Sequence, residues 1–454
     1  MLSGEPYTLL NVTQSLREGK VTALQLTQAC LARIKDPKGQ GSVAFTRVFE
    51  EQALADAKAS DVRRAQADCL SEIDGVPISI KDLFDIAGLP TTAGSVVLSD
   101  AKPAAADALV VKRLREAGAV ILGTTNMTEF AYSGLGLNPH YGTPLSPWDR
   151  QTGHIAGGSS SGAAVSVADA MAIAAVGTDT GGSVRIPAAF CGLVGYKPTA
   201  RRIDMSGALP LSAYLDSIGP IARTVADCAW LACVMAAEPV SVPAPIGLDG
   251  LRLGVPNQLV LDGMDDVVSS TFAVTCDLLE QSGVQIVSLD LPELLEIATM
   301  NAAGGFTAAE AWAWHQDLLN SRQSEYDPRV AVRIRRGQSL DTPYIAKLEQ
   351  QRRDWIARVQ AKLHSVDALL MPTVPIVPPA LGPLQDNDEL YAQTNLLVLR
   401  NPTVINFLDG CAISLPCHHR GQPPVGMMLA GLSGQDDKVL AIALACEAIM
   451  SNQD

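Results

Sequence analysis

An α/β fold in one large domain is what this sequence predicts, and three observations carry the prediction. Apolar segments with helical spacing alternate with short apolar runs of strand length along most of the chain. No Pro/Gly/Ser-rich linker and no run of like charge divides the 454 residues, a length that an α/β enzyme with one large sheet can absorb. Aromatic residues make up 5% while alanine, valine, leucine and isoleucine are abundant, so the core is expected to be aliphatic.

Residues 8–18 and 22–35 carry apolar side chains at helical spacing, with Thr22 as a cap, and 50–67 reads as a surface helix. Residues 76–80 form a short apolar strand with Lys81 and Asp82 at its carboxyl end, where open α/β sheets place ligands. An amphipathic helix over 107–118 precedes a strand over 119–122, and a helix over 160–172 precedes a strand over 172–176. After Pro220 the alternation continues: helix 224–237, strand 251–255, helix 265–282, strand 284–289. Residues 300–365, with Trp312, Trp314, Tyr326 and Tyr344 in long helical stretches, are expected to cover a pocket and set substrate choice. Strands over 368–371, 411–415 and 425–430 and a helix over 435–451 close the chain; Asn401 and Asn406, in a helix-like stretch, are read as holding backbone.

The chain is organised around residues 157–187, GGSSSGAAVSVADAMAIAAVGTDTGGSVRIP, two clusters of glycine and hydroxyl residues flanking an alanine-rich segment. Dense glycine costs backbone entropy and is tolerated where φ is positive or where N–H groups must approach a reacting atom. The serines are candidate nucleophiles. A flexible linker would join polar flanks, whereas this run leads into a core-like apolar segment. A phosphate-binding loop would need lysine where Ala163 stands. Gly158-Ser159-Ser160-Ser161-Gly162 fits Gly-x-Ser-x-Gly, which would make Ser160 the nucleophile of an α/β-hydrolase elbow, but that elbow follows a buried strand and residues 151–156 are polar and glycine-broken. In the second cluster the N–H groups of Thr180, Gly181, Gly182 and Ser183 can converge on one point, as an oxyanion hole requires, and side chains at 181 and 182 would obstruct it.

Three blocks occur in one order: Gly75-Val76-Pro77-Ile78-Ser79-Ile80-Lys81-Asp82, the Gly-Gly-Ser-Ser run, and Gly-Thr-Asp-Thr-Gly-Gly-Ser-Val-Arg-Ile-Pro. Together they resemble the amidase signature family. The likeness continues through residues 123–130, 195–199, 216–220 and 424–427, and is weakest from about 235 to 365. It implies a single amidase domain over 1–454, with a central mixed β-sheet covered by helices, a signature core at about 75–225 and a variable specificity region at about 235–365. It also implies Ser183 as the acyl-accepting nucleophile, Ser159 as a bridging serine preceded by a cis peptide, and Lys81 as the base. Ser160, Asp179 and Arg185 would be supporting residues, the last two as an ion pair or hydrogen bonds that hold the loop. Asn126 and Glu129 are either hydrogen-bonders in the substrate wall or a turn and a helix cap. The implied activity is hydrolysis of an amide carbon–nitrogen bond through an acyl-enzyme, with ammonia or an amine released. The same motifs fit the A subunit of a tRNA-dependent amidotransferase, which passes ammonia to a partner.

Composition narrows the partners. With 34 basic and 48 acidic residues the net charge is −14, which opposes phosphate backbones and anionic lipid, so no direct nucleic-acid or membrane partner is expected. The first twenty residues lack a basic stretch before an apolar one, and no uninterrupted apolar run reaches membrane-spanning length. Nine cysteines without a Cys-x-x-Cys pair read as reduced core thiols of a cytoplasmic protein. Six histidines without metal-ligand spacing give no metal site, and no cofactor is expected. The expected partner is a small-molecule amide; a homodimer is left open.

Overall fold

The computed structural model describes residues 7–451, so the first six residues of the stretch read for a leader lie outside the described chain. Eleven strands are formed: β1 (Phe45–Val48), β2 (Pro77–Lys81), β3 (Val120–Thr125), β4 (Ala174–Asp179), β5 (Val194–Lys197), β6 (Ser217–Ala222), β7 (Arg252–Pro256), β8 (Gln285–Leu289), β9 (Ala368–Pro372), β10 (Cys411–Pro416) and β11 (Gly426–Gly431). They make one mixed sheet in the order β1-β3-β2-β4-β6-β5-β10-β11-β9-β7-β8. Parallel pairing joins β3, β2 and β4 on one side and β9, β7 and β8 on the other. Antiparallel β6, β5, β10 and β11 connect these halves.

The burial of each strand follows from its place. Every residue of β2, β3, β4 and β6 is buried, because helices cover both faces of the sheet there and the strands read as nearly continuous small or apolar runs. Edge strand β8 keeps Gln285 and Ser288 exposed. The helix Ala23–Ile34 begins in a reciprocal Thr22–Gln25 capping box, which satisfies two N–H groups that a helix start leaves open.

Several expectations are corrected. The helix expected over 160–172 spans Ser161–Ala168 and ends in a turn in which Ala170 takes φ +53°, a conformation that no glycine announces. The strand expected over 172–176 is Ala174–Asp179, so the sheet itself carries Thr178 and Asp179. Three strands had no prediction. β1 is a short edge, and β5 and β6 break the apolar alternation with Gly195, Gly219 and Pro220. Gly219 is required by close backbone approach: a Cβ there would lie 2.1 Å from the Tyr196 carbonyl oxygen on β5.

Sheet register brings the glycine clusters to one place. Parallel pairing of Ile80 with Val176 sets Lys81 beside the carboxyl end of β4. Antiparallel pairing of Asp179 with Ser217 sets residue 216 beside the turn that follows β4. That turn, 180–184, runs into the helix Arg185–Phe190, while the first serine run enters the helix Ser161–Ala168.

Candidate active site

Lys81 is completely buried at the end of β2. Its Nζ donates to Ser159 Oγ at 2.7 Å and to Thr178 Oγ1 at 2.8 Å. Burial pushes the amine down to about 7; the negative charges of Asp216 and Asp179 oppose that shift without cancelling it. Burial therefore favours the neutral amine at Lys81. The Gly158–Ser159 peptide is cis, as the family resemblance implies.

Ser183 and Ser160 separate clearly. Ser183 lines a cavity of about 720 Å³ together with Thr180 and Gly181. Ser160 does not line it: the residue is fully buried, its Oγ donates to the Thr178 carbonyl at 3.4 Å, and its N–H donates to the Ser183 carbonyl at 3.3 Å. An elbow nucleophile must face substrate, so the geometry leaves Ser160 tying the two serine segments together.

Asp179 organises the turn. Its carboxylate accepts the N–H groups of Gly182 at 2.8 Å and Val184 at 3.1 Å, and the Arg185 guanidinium at 2.8 and 3.0 Å. Burial alone would raise this carboxyl, but the charge and hydrogen bonds of Arg185 outweigh it and hold Asp179 well below the usual range. Arg185 is equally buried and also donates to the Pro402 carbonyl at 3.0 Å and Asn406 Oδ1 at 2.7 Å. Its donors are spent on the scaffold. Asn406 in turn donates to the Asp179 carbonyl at 3.1 Å and the Leu215 carbonyl at 3.4 Å, and Asn401 to the Val260 and Pro372 carbonyls at 2.8 and 2.9 Å.

One expected donor is corrected. The Gly182 N–H is committed to Asp179, and the residue is buried with φ +124°, so it belongs to the frame of the turn rather than to its open face. A Cβ there would come within 2.6 Å of Pro402 Cβ and 2.7 Å of Ile186 Cδ1. Gly181, only partly buried, faces the cavity. Asn126 and Glu129 do not line it. Asn126 donates to the Val43 and Gly142 carbonyls at 2.8 Å, and Glu129 accepts from Ser95, His140 and the Asp327 N–H.

Two residues of this site lie inside the signature blocks and went unassigned. Thr178 is the second hydroxyl on Lys81. Asp216 accepts Thr180 Oγ1 at 2.5 Å and the N–H groups of Leu211 and Ser212, anchoring the side of the turn opposite Asp179. Three arginines of the cavity wall, Arg333, Arg336 and Arg400, had no signal in the sequence, because only the packing of distant helices brings them there.

Comparison with known proteins shows the family. The profile of the family described as Amidase matches residues 25–440. A 2-amino-5-chloromuconic acid deaminase of Comamonas testosteroni is 34% identical over 441 residues, covering 96% of this chain and 94% of that protein. The A subunit of the glutamyl-tRNA(Gln) amidotransferase of Chloroflexus aggregans is 34% identical over 470 residues, covering 96% and 94%. Among solved structures, the crystal structure of an amidase superposes with a TM-score of 0.85 at 31% identity, over 97% of this chain and 99% of that one. The chain therefore belongs to the amidase signature family, enzymes that hydrolyse carbon–nitrogen bonds.

Proposed function

We propose that the chain hydrolyses a small-molecule amide by a serine–serine–lysine relay in which Ser183 is the nucleophile, Ser159 the bridge and Lys81 the base. The observation that carries this reading is a buried amine bonded to two hydroxyls and to no carboxylate, beside a cavity that Ser183 lines. Ser183 Oγ adds to the amide carbonyl while its proton passes through Ser159 to Lys81. Negative charge on the carbonyl oxygen meets the N–H groups of Thr180, Gly181 and Ser183, which the Asp179 and Asp216 hydrogen bonds hold in place. The proton returns through Ser159 to the nitrogen, the C–N bond breaks, and ammonia or an amine leaves. Water then attacks the acyl-serine by the same relay and releases the acid. In this reading residues 235–365 act as the specificity region, since they supply Leu294, Ile297, Arg333 and Arg336 to the cavity.

The nine cysteines are free thiols and no helix of the described residues is long and apolar enough to cross a membrane, which supports a cytoplasmic setting. The experiment is ammonia release from a panel of simple amides by the purified chain alone. Turnover supports the hydrolase. Activity that appears only with added partner proteins supports instead a role as an amidotransferase A subunit, the name the Chloroflexus relative carries.

A further inference from the structure

The cavity beside Ser183 has an unbalanced charge. Its walls are mainly aliphatic, with Leu215, Ile297 and Leu399 among them, and the described residues lining it include three arginines and no aspartate or glutamate. That inverts the balance of the whole chain, which carries an excess of acid. None of Arg333, Arg336 and Arg400 has a carboxylate within ion-pair distance among the described residues. Their bonds are to neutral oxygens. Arg333 Nη1 donates to the Tyr132 carbonyl, Arg336 Nη2 to the Ala302 carbonyl at 3.1 Å, and Arg400 to Asn401 Oδ1 at 3.0 Å and the Val260 carbonyl at 3.3 Å.

Arg333 and Arg336 stand three residues apart where the helix Pro328–Arg335 continues into a further turn, so their side chains share one face. Like charges at that spacing destabilise a helix unless something offsets them. An arginine elsewhere on this helix is neutralised: Arg329, outside the cavity, meets Asp388 at 2.7 Å. Each guanidinium of the cavity pair keeps donors unspent, in the planar fork that matches a carboxylate.

Resting on the reading of Ser183 as the reacting end, we infer that the substrate is an amide bearing a carboxylate at its far end, held by Arg333 and Arg336, with Arg400 adding positive potential. The apolar wall of the cavity takes the hydrocarbon body of such a molecule. These arginines bind substrate and take no part in the proton relay.

The test sets the monoamides succinamate, glutaramate and adipamate beside the corresponding diamides, which have the same shape and no charge. For at least one length kcat/KM of the monoamide is expected to exceed that of the diamide by about tenfold or more, the effect of one hydrogen bond to a charged group. Arg333→Gln and Arg336→Gln should each reduce that ratio about tenfold, Arg333→Lys should recover part of it, and Arg335→Gln, outside the cavity, should leave it unchanged. A merely structural arginine would lower both substrates together and leave the ratio unmoved. Equal or better use of the diamides at all three lengths overturns the carboxylate inference while leaving amide hydrolysis intact. Absence of ammonia release from every amide removes the hydrolase reading instead. Calorimetry on Ser183→Ala with the same pairs then decides the anion site by itself: preference for the monoamide, lost with Arg333→Gln, upholds it, and no preference overturns it.

Discussion

Two lysines of this protein are wholly buried, and their neighbours differ. Burial lowers both, Lys81 to about 7 and Lys197 to about 8. Lys81 meets two hydroxyls, whereas Lys197 donates to the Pro198 and Gly410 carbonyls at 2.9 and 2.6 Å. A carbonyl only accepts, so the Lys197 amine can only be held; a hydroxyl both accepts and donates, so the Lys81 amine can receive a proton through it. Burial makes a lysine available as a base, but its neighbours decide whether a proton has a route to it.

The largest effect that would test this contrast is loss of turnover. Lys81→Met and Ser183→Ala should each lower kcat by about 10⁴-fold or more, while Lys197→Met should stay within about tenfold of wild type, as measured by ammonia release. Comparable losses in the two lysine variants would erase the distinction.

A second pair lies in the turn after β4. Gly182→Ala forces a side chain into positive φ and against Pro402 and Ile186, so its unfolding free energy should fall by about 1–3 kcal/mol. Gly181→Ala meets Thr403 Oγ1 at 3.0 Å on the cavity side and should lower kcat more than stability. Denaturant midpoints beside kcat separate the two, and a reversed pattern would return Gly182 to the open face of the turn.

The pH dependence gives a finer contrast. For Lys81 the folded value of about 7 lies below the unfolded value of about 10.5, so between them the unfolded chain binds more protons and stability rises with pH. Below about 7 the cost is fully present and constant. Lys197 begins to contribute only from about 8 upward. From about pH 7 upward Lys81 adds a slope approaching about 1.4 kcal/mol per pH unit, which Lys81→Met should remove in a denaturation series. The wild-type rate should fall on the acid side of about pH 7. The smallest effect belongs to Ser160→Ala, which should leave a measurable rate because Ser160 bonds to scaffold; loss as deep as in Ser183→Ala would restore the elbow reading.

Much of this molecule was legible in its sequence, and the divide has a physical cause. Lys81, Ser159, Ser183 and the Asp179–Arg185 pair sit in the three blocks that carry the likeness to the amidase signature family, and that likeness, rather than spacing alone, singled them out. The helices and the buried apolar strands likewise follow from periodicity. What the sequence did not reveal depends on contacts between distant segments. Strands β5 and β6 look unlike strands because Gly195, Gly219 and Pro220 answer to the neighbours they pair with. The commitment of the Gly182 N–H follows from the sharp turn around Asp179, and the convergence of Arg333, Arg336 and Arg400 follows from helix packing across more than sixty residues of chain. Local motifs carry the family and the proposed reacting groups in the sequence; the shape and charge of the cavity beside them exist only once the sheet and its helices have assembled.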